Sequence, residues 1–124
     1  MNRVPDIPLL RKCVEWAETE AQKPYRERRW EQSRWKVEKE CGTAYCIAGY
    51  VIELQGGYEW DRDEVWGDCI RSSDGLGVER VSTVANRLLG LTPEQGDALF
   101  YPGNNIQRVR HVAERIAQTQ GETL

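Results

Sequence analysis

Several residue types that many sites depend on are scarce in this chain of 124 residues. It has a single histidine, a single phenylalanine and a single methionine. Any pair of a cysteine nucleophile and a histidine base must therefore use His111. The N-terminus lacks the apolar stretch of a signal peptide, and charges at Arg11, Lys12 and Glu15 interrupt any spanning helix. We expect a cytoplasmic protein, located in the cytosol of a host cell, with no membrane association.

The chain also lacks an excess of basic residues and a metal signature. Its net charge is −3 and its pI is near 5.3, which disfavours binding to nucleic acid. The four cysteines do not have the spacing of a zinc site. An EF-hand starting at Asp61 would need glycine and glutamate where Trp66 and Ser72 stand. We therefore predict no metal and no cofactor.

What the chain does have is a moderate core and many polar aromatic side chains. Hydrophobic residues make up 40% of the sequence, enough for one domain over residues 1–124. Five tryptophans and five tyrosines combine apolar surface with a polar group, as is common in pockets and interfaces. This composition favours a binding function, and it leaves a homodimer open.

Apolar residues recur at helical spacing in most of the chain, which predicts a mainly α fold of about five helices. Helix ends are indicated by Pro24, by Gly56 with Gly57, by Gly90 and by Pro102. The helices are predicted from about Asp6, from Ala44 after a Thr43 cap, from Val78, from Pro93 after Thr92, and after Asn104 or Asn105.

Three segments do not follow this helical pattern. Residues 25–40 mix charges with tryptophans and suit either a short helix or an extended arm. Residues 58–72 alternate acidic and aromatic residues, which suits a small β-hairpin or an ordered loop. The tail at 120–124 is predicted to fray.

The densest motif is the segment 41–49, Cys-Gly-Thr-Ala-Tyr-Cys-Ile-Ala-Gly. With Thr43 as helix cap, Cys46 takes the third helical position, where free amides and the helix dipole favour a thiolate or an anion. Trp30, Arg34 and Trp35 precede it and suit base stacking and phosphate pairing. We predict a ligand site for an anionic aromatic molecule at Trp30, Arg34, Trp35, Thr43 and Cys46. The alternative is structural, with tryptophans covering the core and Gly42 allowing a tight entry to the helix.

A second alternative makes Cys46 the nucleophile of a cysteine-dependent enzyme with His111 as its base. The helical pattern places His111 off the apolar face, among Arg108, Arg110 and Arg115, which favours a solvated histidine. Cys13 lies on an apolar stripe and is expected to be buried. Whether Cys41 and Cys46 are reactive, structural or bridged stays open.

Four blocks of the sequence occur in a fixed order: Trp30-x-Gln32-x-x-Trp35, Cys41-Gly42-Thr43-x-x-Cys46-x-Ala48-Gly49, Leu-Leu-Gly-Leu-Thr-Pro at 88–93 and Ala-Leu-Phe-Tyr-Pro at 98–102. Together they resemble an uncharacterised family of small proteins of actinobacterial phages and their hosts. In that family tryptophan or histidine often stands where this chain has Tyr50. The resemblance implies a compact helical domain of viral or prophage origin with no assigned chemistry. It also implies a non-enzymatic, counter-defence role, in which the protein blocks a host protein or sequesters a small nucleotide-like ligand.

Overall fold

A computed structural model describes residues 4–39, 42–60, 69–72 and 77–124. Five α-helices and two small antiparallel sheets make up its regular structure in these ranges. The helices are α1 (Ile7–Ala21), α2 (Ile47–Gln55), α3 (Val81–Leu89), α4 (Pro93–Phe100) and α5 (Ile106–Gln118). The strands are β1 (Lys36–Lys39), β2 (Gly42–Tyr45), β3 (Tyr58–Trp60), β4 (Cys69–Ser72) and β5 (Val78–Arg80). The prediction of a mainly α chain with a small β part is confirmed.

Helix α1 begins where the sequence predicted. The Asp6 carboxylate accepts a hydrogen bond from the Leu9 amide at 3.1 Å and so caps the helix. Its apolar stripe is buried against α5, α2 and α3. The largest fully buried side chains of the core are Ile7, Leu10, Ile47, Ile52, Ile70, Leu89, Leu91 and Leu99.

The turns between α3, α4 and α5 follow the predicted signals. Gly90 ends α3 with φ of +70°, and a Cβ there would lie 2.1 Å from the Val4 carbonyl oxygen, so glycine is required twice over. Thr92 and Gln95 form a reciprocal capping box at the start of α4. Asn105 caps α5 by accepting a hydrogen bond from the Arg108 amide at 2.8 Å.

The predicted hairpin is present, and a third strand extends it. Strand β3 pairs with β4, and β4 pairs with β5, all antiparallel. Val78 belongs to β5, so the prediction that the third helix starts there is wrong, and α3 starts at Val81. The acidic segment 61–68, with Trp66, and residues 73–76 lie outside the described residues.

Residues 25–35 form an arm that crosses the surface between α1 and β1. It starts with a short 3-10 turn at Tyr25–Glu27 and continues without regular structure, with an isolated bridge between Trp30 and Tyr45 and a turn at residues 32–33. Glu20, buried at the end of α1, holds the arm by accepting a hydrogen bond from the Arg29 amide at 2.7 Å. The sequence left a short helix or an extended arm open for residues 25–40. The structure has one 3-10 turn, then an irregular stretch, and is extended in strand β1.

The C-terminal tail after α5 turns back toward α1. The Thr123 carbonyl oxygen accepts a hydrogen bond from the Arg11 guanidinium at 3.1 Å, and Leu124 packs against the core. The tail predicted to fray therefore has contacts with the first helix. Across the described ranges, no helix combines the length and apolar character that a bilayer span requires.

Candidate functional site

The predicted helix start at Ala44 is wrong, because residues 42–45 form strand β2 instead. Glu38 of β1 lies opposite Thr43, and the Thr43 hydroxyl donates a hydrogen bond to the Glu38 carboxylate at 3.0 Å. Helix α2 starts at Ile47 with Cys46 as its cap residue. Thr43 therefore stabilises a strand pair, and Cys46 lies just before the helix rather than within its first turn.

The start of α2 is closed to solvent. Cys46 is 1% exposed, and Ile47 and Ala48 are fully buried. The Cys46 amide donates a hydrogen bond to the Arg34 carbonyl oxygen at 3.0 Å. Among the described residues, the first amides of the helix face packed protein, and those of Ala48 and Gly49 bond the Cys46 thiol, which leaves no open position for an anion there.

The arm explains why the two motif blocks occur together. The Tyr45 amide donates to the Arg29 carbonyl oxygen at 2.7 Å, and the Glu31 amide donates to the Tyr45 carbonyl oxygen at 2.8 Å. Together with the bond from Cys46 to Arg34, these contacts fasten the arm along β2. The five predicted ligand residues are brought into one neighbourhood, but backbone pairing holds them there.

Gln32 joins the arm to α4. It is 7% exposed, and its side-chain oxygen accepts a hydrogen bond from the Trp30 indole at 3.1 Å. Its amide nitrogen donates to the Leu99 and Tyr101 carbonyl oxygens, each at 3.0 Å. These two carbonyl groups lie at the end of α4, and each also accepts a hydrogen bond from Asn104, at 3.3 Å for Leu99 and 3.1 Å for Tyr101. Gln32 thus bonds to the arm and to the end of α4 at once.

Trp35 completes this joint. Its ring packs edge-on against Phe100, with ring centroids 6.4 Å apart. A Cβ on Gly49 of α2 would lie 1.8 Å from the Trp35 carbonyl oxygen, so only glycine allows this approach. The motif therefore ties the arm, α2 and α4 into a single packed unit, with Trp30 and Trp35 partly buried against the core. Gly42 lies in strand β2 and not at the entry to the helix, so that part of the structural alternative is wrong.

Cys46 and His111 do not form a catalytic pair. Burial raises the pKa of the Cys46 thiol to about 11, and the nearby amides of Gly49 and Ala48 offset only part of that rise. His111 is exposed and lines a groove that contains no cysteine. Burial likewise raises the pKa of Cys13 to about 12. A protonated, enclosed thiol is a poor nucleophile. Cys41 lies outside the described residues.

The open cavity of interest lies elsewhere, between α4 and α5. This α4–α5 groove has a volume of about 550 Å³. Its floor is apolar and consists of Ala98, Val112 and Ile116, of which Val112 is 6% and Ile116 3% exposed. Glu94 and Gln95, in the first turn of α4, form one rim. The capping box at the start of α4 uses Gln95 and so orders this rim.

The other rim is cationic. Arg108, His111 and Arg115 are exposed on α5 and line the groove. The guanidinium groups of Arg108 and Arg115 have no hydrogen bond or ion pair to a described residue. Arg110, on the same helix, differs because it bonds Glu18 at 2.8 Å and Glu114 at 2.9 Å. Arg110 thus forms ion pairs within the protein, whereas Arg108 and Arg115 are available to bind a ligand.

A second cavity, of about 460 Å³, lies between the end of α1 and the start of α5. Its one cation, Arg110, is already paired with Glu18. The charge in this cavity is therefore neutralised within the protein, and the α4–α5 groove is the better candidate for a charged ligand.

The α4–α5 groove was missed from sequence because its cations were assigned to a solvated face. One signal was present: Arg108, Arg115 and His111 alternate at helical spacing with Val112 and Ile116. That pattern places a cationic row beside an apolar row. Only the packing of α4 shows that a groove separates the two helices there.

Comparisons with protein-family models, with curated proteins and with solved structures find no match to this chain. The described parts of the chain hold no group of three or more histidine, cysteine, aspartate or glutamate side chains placed to bind a metal ion.

Proposed function

We propose that this chain is a phage-type, non-enzymatic binding protein that antagonises a host process by blocking a host protein. The observation that carries the proposal is the α4–α5 groove, where an apolar floor lies beside two arginines without partners in the described chain. Ligand sites commonly combine an apolar surface with a few charged groups that fix orientation. The phage origin rests on the resemblance of the motif at residues 30–49.

Sequestration of a nucleotide-like ligand at the predicted residues has less support. The Trp30 indole N–H is donated to Gln32, the Thr43 hydroxyl to Glu38, and Cys46 is enclosed. Arg34 alone of the five is exposed. The same enclosure of Cys46 weighs against the enzyme alternative, because a substrate cannot reach the thiol without local unfolding.

The test is affinity capture from an actinobacterial host lysate with the tagged full chain. The groove variant is Arg108→Glu/Arg115→Glu, which reverses both available arginines. Its control is Arg26→Glu/Arg80→Glu, which changes the net charge equally at two exposed arginines elsewhere. We expect a host protein that is retained by the wild type and by the control and lost by the groove variant.

Two further readouts separate the alternatives. Cys46→Ala should keep the capture and any growth inhibition caused by expression in the host, whereas an enzyme would lose its effect. Mass spectrometry of small molecules released from the purified chain detects a sequestered nucleotide. Capture that ignores the groove variant, or a folded Cys46→Ala variant without effect on the host, would contradict the proposal.

A further inference from the structure

We infer that the partner of the α4–α5 groove is an acidic amphipathic helix of another protein. This inference deepens the proposed function and rests on it, because it names the kind of structure that the groove recognises. The groove has three properties that together select such a helix: the spacing of two arginines and one imidazole along α5, the apolar floor beside them, and the carboxylate on the opposite rim, which restricts acidic groups of the partner to the α5 side.

The spacing of the two arginines and the imidazole between them matches the repeat of a helix. Arg108, His111 and Arg115 follow one another at steps of three and four residues along α5. At a rise of 1.5 Å per residue they cover about 10 Å, or two helical turns. Carboxylates at the corresponding steps of a second helix, laid along the groove, would meet the same intervals. A compact anion such as a single phosphate would reach only part of this row.

The floor suits the apolar side of the same helix. Ala98 is exposed in the middle of α4, and its small side chain lets another backbone approach closely. Val112 and Ile116 lie one turn apart beside it on α5. Helices that bind in grooves place anchor residues at three- and four-residue steps on such a strip. Acidic groups facing the arginines then sit next to apolar groups facing the floor.

The charges in the groove disfavour other ligands. Glu94 on the α4 rim would repel a phosphate or a nucleic-acid backbone that spanned the groove. No tryptophan, tyrosine or phenylalanine lines the groove to stack a base. The whole chain carries a net charge of −3, so the cationic rim is a local feature of an acidic protein. Such a local field is typical of a surface that selects and orients one oppositely charged partner.

The experiment uses two synthetic, fluorescein-labelled peptides of about 18 residues, long enough to form a helix when stapled. Both carry leucine on one face; one has glutamate and the other lysine on the neighbouring positions. Binding to the full chain is followed by fluorescence anisotropy at about 50 mM and about 150 mM salt. We expect the affinity of the glutamate peptide to exceed that of the lysine peptide by about tenfold or more. The affinity of the glutamate peptide should be lower at the higher salt concentration.

The variants test the geometry. Arg108→Glu/Arg115→Glu should weaken binding of the glutamate peptide by about tenfold or more and strengthen binding of the lysine peptide. The control Arg26→Glu/Arg80→Glu should leave the glutamate peptide the tighter binder of the two. Ala98→Arg leaves Arg108 and Arg115 in place and adds a further positive charge, but its side chain fills the floor. It should therefore also weaken binding of the glutamate peptide. Circular dichroism and thermal melting verify that each variant is folded.

Several outcomes would overturn the inference. Equal binding of both peptides, or no reversal in the double arginine variant, shows that the cations do not select an acidic helix. Undiminished binding by a folded Ala98→Arg variant shows that the floor is not used. Displacement of the peptide by ATP, with a raised melting temperature, shows a nucleotide site instead. If the host protein is captured through the groove while the peptides fail, the proposed function stands and only the helical partner is wrong.

Discussion

Gln32 is the single residue on which the joint between the arm and α4 depends most. Its replacement by alanine leaves the Trp30 indole N–H without its partner and removes one of two hydrogen bonds at each of the Leu99 and Tyr101 carbonyl oxygens, which keep their bonds from Asn104. An unsatisfied buried polar group costs about 1–3 kcal/mol. We expect Gln32→Ala to lower the free energy of unfolding by about 2–3 kcal/mol. Urea denaturation followed by tryptophan fluorescence measures this loss.

The matched control for this prediction is Gln107→Ala, at an exposed position of α5 that makes no side-chain hydrogen bond to a described residue. It should change the stability by less than about 0.5 kcal/mol. Equal effects of the two substitutions would show that the bonds of Gln32 do not matter. The contrast tests whether the tryptophan–glutamine–tryptophan block serves structure, as its contacts indicate.

Close approaches between elements depend on two buried glycines of α2 and α4 that differ in what surrounds them. A Cβ on Gly49 would lie 1.8 Å from the carbonyl oxygen of Trp35, which belongs to the backbone. A Cβ on Gly96 would lie 1.8 Å from the side-chain oxygen of Asn86, which has no hydrogen-bond partner among the described residues. A side chain can rotate away more readily than a backbone can shift.

We therefore expect Gly49→Ala to destabilise the protein by about 2–3 kcal/mol, since overpacking outweighs the better helix propensity of alanine. Gly96→Ala should cost clearly less, because Asn86 gives up no hydrogen bond through Oδ1 when it turns. Thermal and urea unfolding of the two variants supply the comparison. A larger loss for Gly96→Ala would mean that Asn86 is held more rigidly than the Trp35 backbone.

Helix ends set by capping within one turn were predictable, and an end displaced by strand pairing was not. The start of α4 was predicted correctly because Thr92 and Gln95 cap each other within one turn. The start of α2 was not, because Thr43 has the same capping ability but pairs with Glu38 across a strand ladder. Strand pairing competes with capping, and a local pattern cannot weigh the two.

The candidate site was less predictable than the fold for a related reason. The motif at residues 41–49 led to the prediction of a site at Cys46, which is buried in the structure beside the arm. The helical pattern placed the groove arginines, Arg108 and Arg115, on a solvated face, which does not distinguish them from other surface charges. Whether an arginine such as Arg108 has a partner depends on which helix packs beside it, and Arg110 on the same helix does have partners. Sequence periodicity gives the face of a helix but not its neighbours.

The protein as a whole should lose stability in alkaline solution because its core holds two protonated thiols. Burial raises the pKa of Cys13 from an ordinary value of 9.0 to about 12 and that of Cys46 to about 11. Below pH 9 both the folded and the unfolded chain keep these protons, so the thiols add no pH dependence. Above pH 9 the unfolded chain releases them while the folded chain does not, and unfolding becomes more favourable.

We expect the free energy of unfolding to fall steadily between about pH 9 and pH 11, and to fall less steeply in Cys13→Ala/Cys46→Ala. The double variant is less stable at neutral pH because it leaves cavities in the core. Val14→Ala, which truncates a buried neighbour on α1 without removing a titrating group, is the control. Raised tyrosine pKa values at Tyr45 and Tyr50, due first to burial, act in the same direction and leave a residual slope. Urea unfolding in reducing buffer across this range measures the slopes, and a double variant as steep as the control would show that the thiols are not the buried acids of this core.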